Sequence, residues 1–585
     1  MSEQTILNEV KKAIFDAVIK CAGRGLIKMC ENPENSADIP AGFEAAKIIL
    51  EPPRDKAFGD FATNVAMKIS KAYGKKPVEF AEILTANIES GLFSKIEVKA
   101  PGFINFYLSS DTIYANAMNV LKLNENFGRV NIGNGEMVNV EFGSINPTGP
   151  ISVSHGRQVV LGDIFSSFLE FTNHKVTREY YCNDTGNQIR NLGRSVLARY
   201  RQALGEPVEF PEDGYHGEYV SEIAQEVIRI YGEKYKLHLS PEEDEKAIEE
   251  FGEYSQKKMI KEILDDCAKL GVKYDMVYSE RSLYNDGIVG RTLEFLKSKG
   301  LTYEKDGATW FLSTKFEDEK DRVLIKSDGK NTYALSDIAY HKTKHDRGFT
   351  KMITFLGADH HGYTRRLHAA VESLGVPRDT LRILIHQFVT MLRDGQVVRM
   401  SKRAANFVEL SELISEAGKD ATRYFFIMRK MDAHLEFDIN LAKSQTTDNP
   451  VYYLQYCHAR CHGIINEAKS RGYETDLAVI AALPVETLKR LSSEEETNIL
   501  KKAGEFPKIV EEIVKNYAPH LICHYAEDFV KLFQSFYTKG KMDKNFRIVT
   551  DDAELTKARL FLMSVVLIVI RNILNIMKIN APEKM

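Results

Sequence analysis

The stretch Glu141-Phe-Gly-Ser-Ile-Asn-Pro-Thr-Gly-Pro-Ile-Ser-Val-Ser-His-Gly-Arg157 decides how the chain folds. Leading into it, Met137 to Phe142 alternates Met, Asn and Glu with Val138, Val140 and Phe142, the period of a strand. Beyond it, Val160, Leu161, Ile164, Phe165, Phe168 and Leu169 recur at helical spacing. Val176 to Tyr181 reads as a second strand. Strand, polar loop, helix and strand within about 40 residues make a βαβ unit, which binds nucleotides where the loop meets the helix. A helix start presents free N–H groups and a partial positive charge, so it suits phosphate. His155 stands at that start.

The 585 residues are enough for three or four domains. With 44% hydrophobic and 27% charged residues the composition is that of an ordinary globular protein with ample core. The net charge of −4 gives no sign of nucleic acid, and it does not exclude a local basic groove. The seven cysteines are scattered without a disulfide framework, which fits a reducing cytoplasm. Met1 to Asp16 reads as an amphipathic helix rather than a signal peptide. The most apolar run, Leu560 to Ile570, is too short to cross a bilayer and is followed by Arg571, so it reads as a buried helix and no membrane is expected.

Residues 1–115 form a first, α+β unit: a helix, the segment Phe58 to Met67, a helix through Ile83, and two short strands between Ile96 and Leu108. An α/β domain is expected over 116–395. A charged, helical insertion holding Trp310 interrupts it at about 190–320, and its run Lys236 to Phe251 looks like a solvated helix face. The sheet pattern resumes at Val323 to Lys326 and at Met352 to Leu356. Gly357-Ala-Asp-His-His-Gly-Tyr363 follows that second strand, where a ligand loop belongs. A helix from Thr364 to Leu374 and a strand from Leu381 to Val389 lead to Gly395-Gln-Val-Val-Arg-Met-Ser-Lys-Arg-Ala-Ala405. A connecting region spans 396–440. The pattern is helical after Val408, and 441–585 reads as an all-α bundle.

There is no GxxxxGK[ST], no GxGxxG opening a helix, no HExxH and no GxSxG, which speaks against P-loop, dinucleotide-binding, zincin and serine-hydrolase chemistry. In Cys457-His-Ala-Arg-Cys-His462 the cysteines lie one helical turn apart with no second pair facing them, so a helix contact is expected rather than a metal. Two basic loops remain, one with His155 and one with Arg399-Met-Ser-Lys402-Arg403. Together they suit phosphoryl or nucleotidyl transfer, in which a protein mainly places cations and N–H donors around developing phosphate charge.

These stretches resemble the class I aminoacyl-tRNA synthetases in their arginyl form, over essentially the whole chain. Asn146-Pro-Thr-Gly-Pro-Ile-Ser-Val-Ser-His-Gly156 resembles the family's HIGH motif, and Arg399-Met-Ser-Lys402 its KMSK loop. Ser327-Asp-Gly, Thr332 to His341, Gly357 to Tyr363, Asp420 to Phe425, Asn449 to Tyr456 and the terminal Ala581 to Met585 are similar to arginyl-type segments in the same order.

The resemblance implies a multidomain α/β protein: a Rossmann-like catalytic domain with an insertion, an N-terminal α+β domain for the tRNA D-loop, and a C-terminal all-α anticodon bundle. It implies that L-arginine attacks ATP, taken with Mg2+, to give arginyl-adenylate, and that the arginyl group passes to the terminal adenosine of tRNA(Arg). It puts His155, Lys402 and Ser152 in the catalytic set. ATP would meet His155, Gly156, Gly357, Asp359, His360, Met400, Ser401 and Lys402. Glu141 and Asn146 would take the amino-acid end of arginine, with Tyr333 and Asp337 on the guanidinium and His361 nearby. Asn105 would contact the D-loop, and Tyr453, Tyr456 and Met585 the anticodon loop. No protein-bound metal is implied, and a monomer is.

The chain departs from the family pattern at Ser152, where the first HIGH histidine stands, and at Ser154, where its glycine stands. Arg399 replaces the first lysine of KMSK, and Ala405 a common glycine. Two rival readings follow: another class I synthetase, for instance for glutamine or cysteine, and a non-catalytic tRNA-binding paralogue motivated by Ser152.

Overall fold

The alternating residues ahead of the signature loop form the strand Met137–Glu141. In the computed structural model, which describes residues 3–29, 43–53, 55–236, 240–398 and 408–585, it is the middle of a five-stranded sheet. The spatial order is Leu381–His386, Lys351–Gly357, Met137–Glu141, Lys175–Cys182, Met276–Ser279, and every pairing is parallel. The chain leaves the middle strand toward Lys175–Cys182, and the last two strands are added on the opposite side. The order therefore reverses between Met137–Glu141 and Lys351–Gly357, and a crevice opens beyond their carboxyl ends, the usual ligand position in such a sheet.

The helix Val153–Phe171 makes the first crossover and is buried along most of its length, with Val159, Val160, Leu161, Ile164, Phe165 and Phe168 in the core. Ser152 caps it by accepting a hydrogen bond from the His155 N–H. Gly156 is required by packing, because a Cβ there would lie 2.5 Å from Leu410 Cδ1. Arg157 is fully buried and donates to the carbonyls of Gln387, Phe426, Lys430 and Ala433, so the helix start is tied to the segments that flank 399–407.

Nearly two helical turns further in, Asp163 is the hub of a buried ion cluster. It accepts from Arg178, Arg423 and Lys578, which come from the sheet, the Lys419–Ile427 helix and the C-terminal tail. Burial alone would raise the Asp163 pKa, but Arg423 and Lys578 outweigh it and hold the carboxyl below its usual range. Lys578→Met leaves Asp163 two cations, so an expected loss of about 1–2 kcal/mol in denaturant unfolding follows from one charged hydrogen bond. Unchanged unfolding would mean that the tail does not brace the catalytic helix.

The stretch 190–320 is helical through Asn187–Ala203, Glu218–Tyr231 and Pro241–Lys269, and again through Glu280–Asn285 and Ile288–Ser298, but it is not helical throughout. Met276–Ser279 then joins the parallel sheet as its edge, too short a strand to show a period. Val323 to Lys326, expected in that sheet, instead falls in a small antiparallel one made of Thr302–Lys305, Ala308–Phe311 and Arg322–Ile325. The expected strand Leu381 to Val389 breaks after His386. Val389–Arg393 pairs with Gln396–Val398 and with Leu435–Asp438, a strand inside the stretch expected to be helical.

At the N-terminus, Glu3–Gly23 packs near the antiparallel sheet Phe61–Thr63, Phe103–Leu108, Phe93–Lys99. The helix expected through Ile83 is split. Gly74 turns the chain at φ 61°, and Pro77 starts Pro77–Thr85 with its fixed φ.

The C-terminal helices close on Ala553–Ile576, which has the length and apolarity of a membrane span but has 83% of its most apolar window buried in the core. Cys457 and Cys461 are also core residues, and His458 Nδ1 meets the Pro582 carbonyl at 2.8 Å.

Candidate active site

At the reversal of strand order lies a cavity of about 830 Å³. Its walls include Asn146, Ser152 and His155 from the signature loop, and Gly357, Asp359 and His360 from the turn after Lys351–Gly357. His155 sits at the first turn of Val153–Phe171, with Ser152 Oγ 2.9 Å from its Nδ1. Burial is the main cause of a lowered His155 pKa; Asp359 opposes the shift and His360 adds to it. That shift favours the neutral ring, and the helix start supplies positive potential. Ser154 accepts from the Val389 N–H at 3.1 Å, so both serines at the departures have partners.

The segments that flank 399–407 reach the same cavity. Val397 and Val398 line it on one side, and Val408 on the other accepts from the Val153 N–H at 3.1 Å. The expected contacts Met400, Ser401 and Lys402 lie outside the described residues, as do the departures Arg399 and Ala405. The insertion forms the far wall. Tyr219, on Glu218–Tyr231, donates to the Thr148 carbonyl at 2.6 Å and so props the signature loop.

Beside the cavity, three carboxylates gather around Tyr181. Glu141 ends the middle strand and is buried, Asp337 stands one turn into Tyr333–Asp346, and Glu280 begins Glu280–Asn285. Each pushes the Tyr181 phenol up, after the larger effect of burial. Burial and then Glu280 push Asp337 up to about 8, with Arg366 opposing. Burial raises Glu280 to about 7, against hydrogen bonds from Ser336 and Tyr181. Tyr363 donates to Asp337 Oδ2. Glu141 is already balanced by the buried Lys344, 2.5 Å away, and accepts from Ser144 at 3.2 Å. Asp337 and Glu280 are thus a pair of desolvated acids that Arg366 offsets only in part, and a bound cation would lower both.

Glu280 and Lys344 escaped the sequence reading. Glu280 was assigned to the insertion, whereas Met276–Ser279 carries it to the carboxyl edge of the sheet. Tyr333 is 57% exposed at the start of Tyr333–Asp346, and His361 is exposed on the Ala358–Tyr363 turn. Gly156 is buried and faces Leu410. Asn105 is 3% exposed on the central strand of its sheet.

Tyr453 packs half-buried against the core. Tyr456 instead shares a face with Tyr452, their rings 6.1 Å apart and nearly parallel, because helix neighbours are four apart rather than three here. Arg460 lies between Tyr456 and Tyr537, 4.2 and 4.3 Å from their ring centres. Met585 is 53% exposed.

Three family models match in order along the chain: the arginyl tRNA synthetase N terminal domain over residues 8–108, the class I (R) tRNA synthetase catalytic domain over 117–443, and the DALR anticodon binding domain over 454–585. The chain belongs to the arginyl-tRNA synthetase family. Among relatives, arginine–tRNA ligase of Oceanobacillus iheyensis is 42% identical over 551 residues, 94% of this chain and 96% of the relative. Arginine–tRNA ligase of Desulforamulus reducens is 40% identical over 584 residues, 100% of this chain and 99% of the relative. The structure of Thermus thermophilus arginyl-tRNA synthetase aligns with a TM-score of 0.70 over 99% of both chains at 18% identity, a likeness of fold.

As an arginyl-tRNA synthetase the chain is an aminoacyl-tRNA synthetase, an arginine–tRNA ligase with a class I catalytic domain, and its family uses ATP, arginine and tRNA. Within this synthetase, Tyr219→Phe is expected to raise the KM for ATP about fivefold with little change in stability, the loss of one hydrogen bond that props the signature loop. Steady-state kinetics check it, and an unchanged KM would show that the insertion does not support the loop.

Proposed function

We propose that the chain activates L-arginine with ATP and passes the arginyl group to the terminal adenosine of tRNA(Arg). The observation that carries this is the pair Asp337 and Glu280. Two raised carboxylates at the carboxyl edge of the sheet, next to the cavity that holds His155, offer a guanidinium the bidentate acceptors it prefers. Glu141 and Asn146, at the start of the signature loop, take the amino-acid end, with Tyr333 on the guanidinium and His361 nearby.

The arginine carboxylate attacks the α-phosphate of ATP, and the bond from that phosphorus to the bridging oxygen of pyrophosphate breaks. His155 donates to the developing charge from the helix start, and Gly357, Asp359 and His360 border the same space. Lys402 matches the family's lysine for the leaving pyrophosphate. ATP is taken as its Mg2+ complex, with the ion as part of the substrate.

For tRNA, the α+β unit serves the D-loop. The ladder Tyr452, Tyr456, Arg460, Tyr537 supports stacking with unpaired anticodon bases. Tyr453 braces it from the core side, and Met585 lies at the exposed chain end. We place the protein in the cytoplasm as a monomer off the membrane. The free, buried cysteines among the described residues fit a reducing compartment.

The test is ATP–pyrophosphate exchange with each of the twenty amino acids, in the presence of total tRNA. Exchange driven by arginine alone is expected. Exchange driven by another amino acid, or tRNA binding without any exchange, would overturn the reading.

A further inference from the structure

Ser152 holds the place of the family's first HIGH histidine, yet it touches the second. Its Oγ accepts the His155 backbone N–H at 3.3 Å and lies 2.9 Å from His155 Nδ1. A hydroxyl has one proton and two lone pairs. The backbone N–H takes one lone pair, and an oxygen that accepts on one side becomes a better donor on the other. That N–H is one of the unpaired donors of a helix start, with the helix's positive end behind it. The same field disfavours a second proton on the imidazole. The other titratable groups near the ring are Asp359 and His360 on the Ala358–Tyr363 turn and His386 at the end of its strand.

We propose that Ser152 is a positioning residue whose hydroxyl donates to His155 Nδ1 and so holds the neutral ring in the tautomer that carries its proton on Nε2, the nitrogen left for phosphate. This rests on the reading of His155 as the phosphate donor. A neutral imidazole without such a partner divides between two tautomers, and the Nδ1–H form turns a lone pair toward the phosphate oxygens. The serine therefore takes the place of the first histidine by orienting the second.

The experiment uses the full-length protein with 15N-labelled histidine, and the His155 signals are identified by their loss in His155→Gln. Wild type and Ser152→Thr are expected to show an unprotonated Nδ1 and a protonated Nε2. Ser152→Ala is expected to show mixed tautomers, with kcat for arginine-dependent exchange lower by about tenfold, an unchanged KM for arginine, and recovery in Ser152→Thr.

A protonated Nδ1 in the wild type overturns the proposal. So does a Ser152→Ala variant that melts earlier, as any lost cap does, but keeps the wild-type tautomer. If Ser152→Ala does not fold, the wild-type and Ser152→Thr spectra decide. If the wild type shows no arginine-dependent exchange, the proposed function fails, while the spectra still decide what Ser152 does.

Discussion

His155→Ala lowers kcat for arginine-dependent pyrophosphate exchange by ~10²–10³-fold, the usual effect of removing one preorganised donor from a developing oxyanion. The size follows from where the charge appears. In the proposed reaction, negative charge grows on the α-phosphate oxygens beside the start of Val153–Phe171 as the arginine carboxylate closes on the phosphorus. A neutral imidazole N–H and the helix end are already oriented there, so no reorganisation accompanies the step. The KM for arginine should hardly move, because the proposed guanidinium site is the separate pair Asp337 and Glu280. The fold should also survive, because the ring faces the cavity while Val153, Gly156 and Arg157 make the packing contacts. A raised KM with an unchanged kcat would mean that His155 only binds ground-state ATP.

Asp337→Asn weakens arginine binding by more than about 30-fold, since truncating one partner of a buried charged pair costs about 2–5 kcal/mol. The accompanying pH dependence is more diagnostic. In the free enzyme Asp337 sits at about 8 and Glu280 at about 7. At pH 6 both hold protons, whereas a guanidinium keeps its charge throughout. Arginine favours the ionised acids, so binding expels protons. Affinity therefore rises with pH from about 6 to about 8 and levels off above the higher pKa. Asp337→Asn removes the upper part of that rise. Calorimetry in buffers of different ionisation enthalpy measures the proton release directly. Affinity that stays flat from pH 6 to 9, with no protons released, would rule out the pair as the guanidinium site.

The signature loop was fully legible in the chain. Its strand, its helix and His155 at the junction follow from two periods and a loop composition, and both elements formed where they were expected. Long elements with strong periodicity were recovered in this way. The short ones were not. Met276–Ser279, Leu435–Asp438 and the break at Gln387 are too brief to show a period, and their strand character comes from partners distant in sequence. The loss of Met276–Ser279 concealed Glu280, the second raised acid beside Asp337.

The tyrosines of the bundle show the same limit. The resemblance names Tyr453 and Tyr456 together as anticodon contacts, while packing sends Tyr453 toward the core and matches Tyr456 with Tyr452 and Arg460. Gly156 and Asn105 stood within the right motifs, and only burial showed that each is enclosed.

By itself, then, the sequence pointed to phosphoryl or nucleotidyl transfer around His155 and to an α+β, then α/β, then all-α order, because these readings depend on residue type and local period. The tertiary structure alone decided what the side chains meet. Only in three dimensions does Lys344 cancel Glu141, leaving Asp337 and Glu280 to share the burden of desolvated charge. Only there does Ser152, in the place of a histidine, come within 2.9 Å of His155 Nδ1. The physical reason is that pKa and tautomer are set by burial and by neighbours remote along the chain, which no local pattern records.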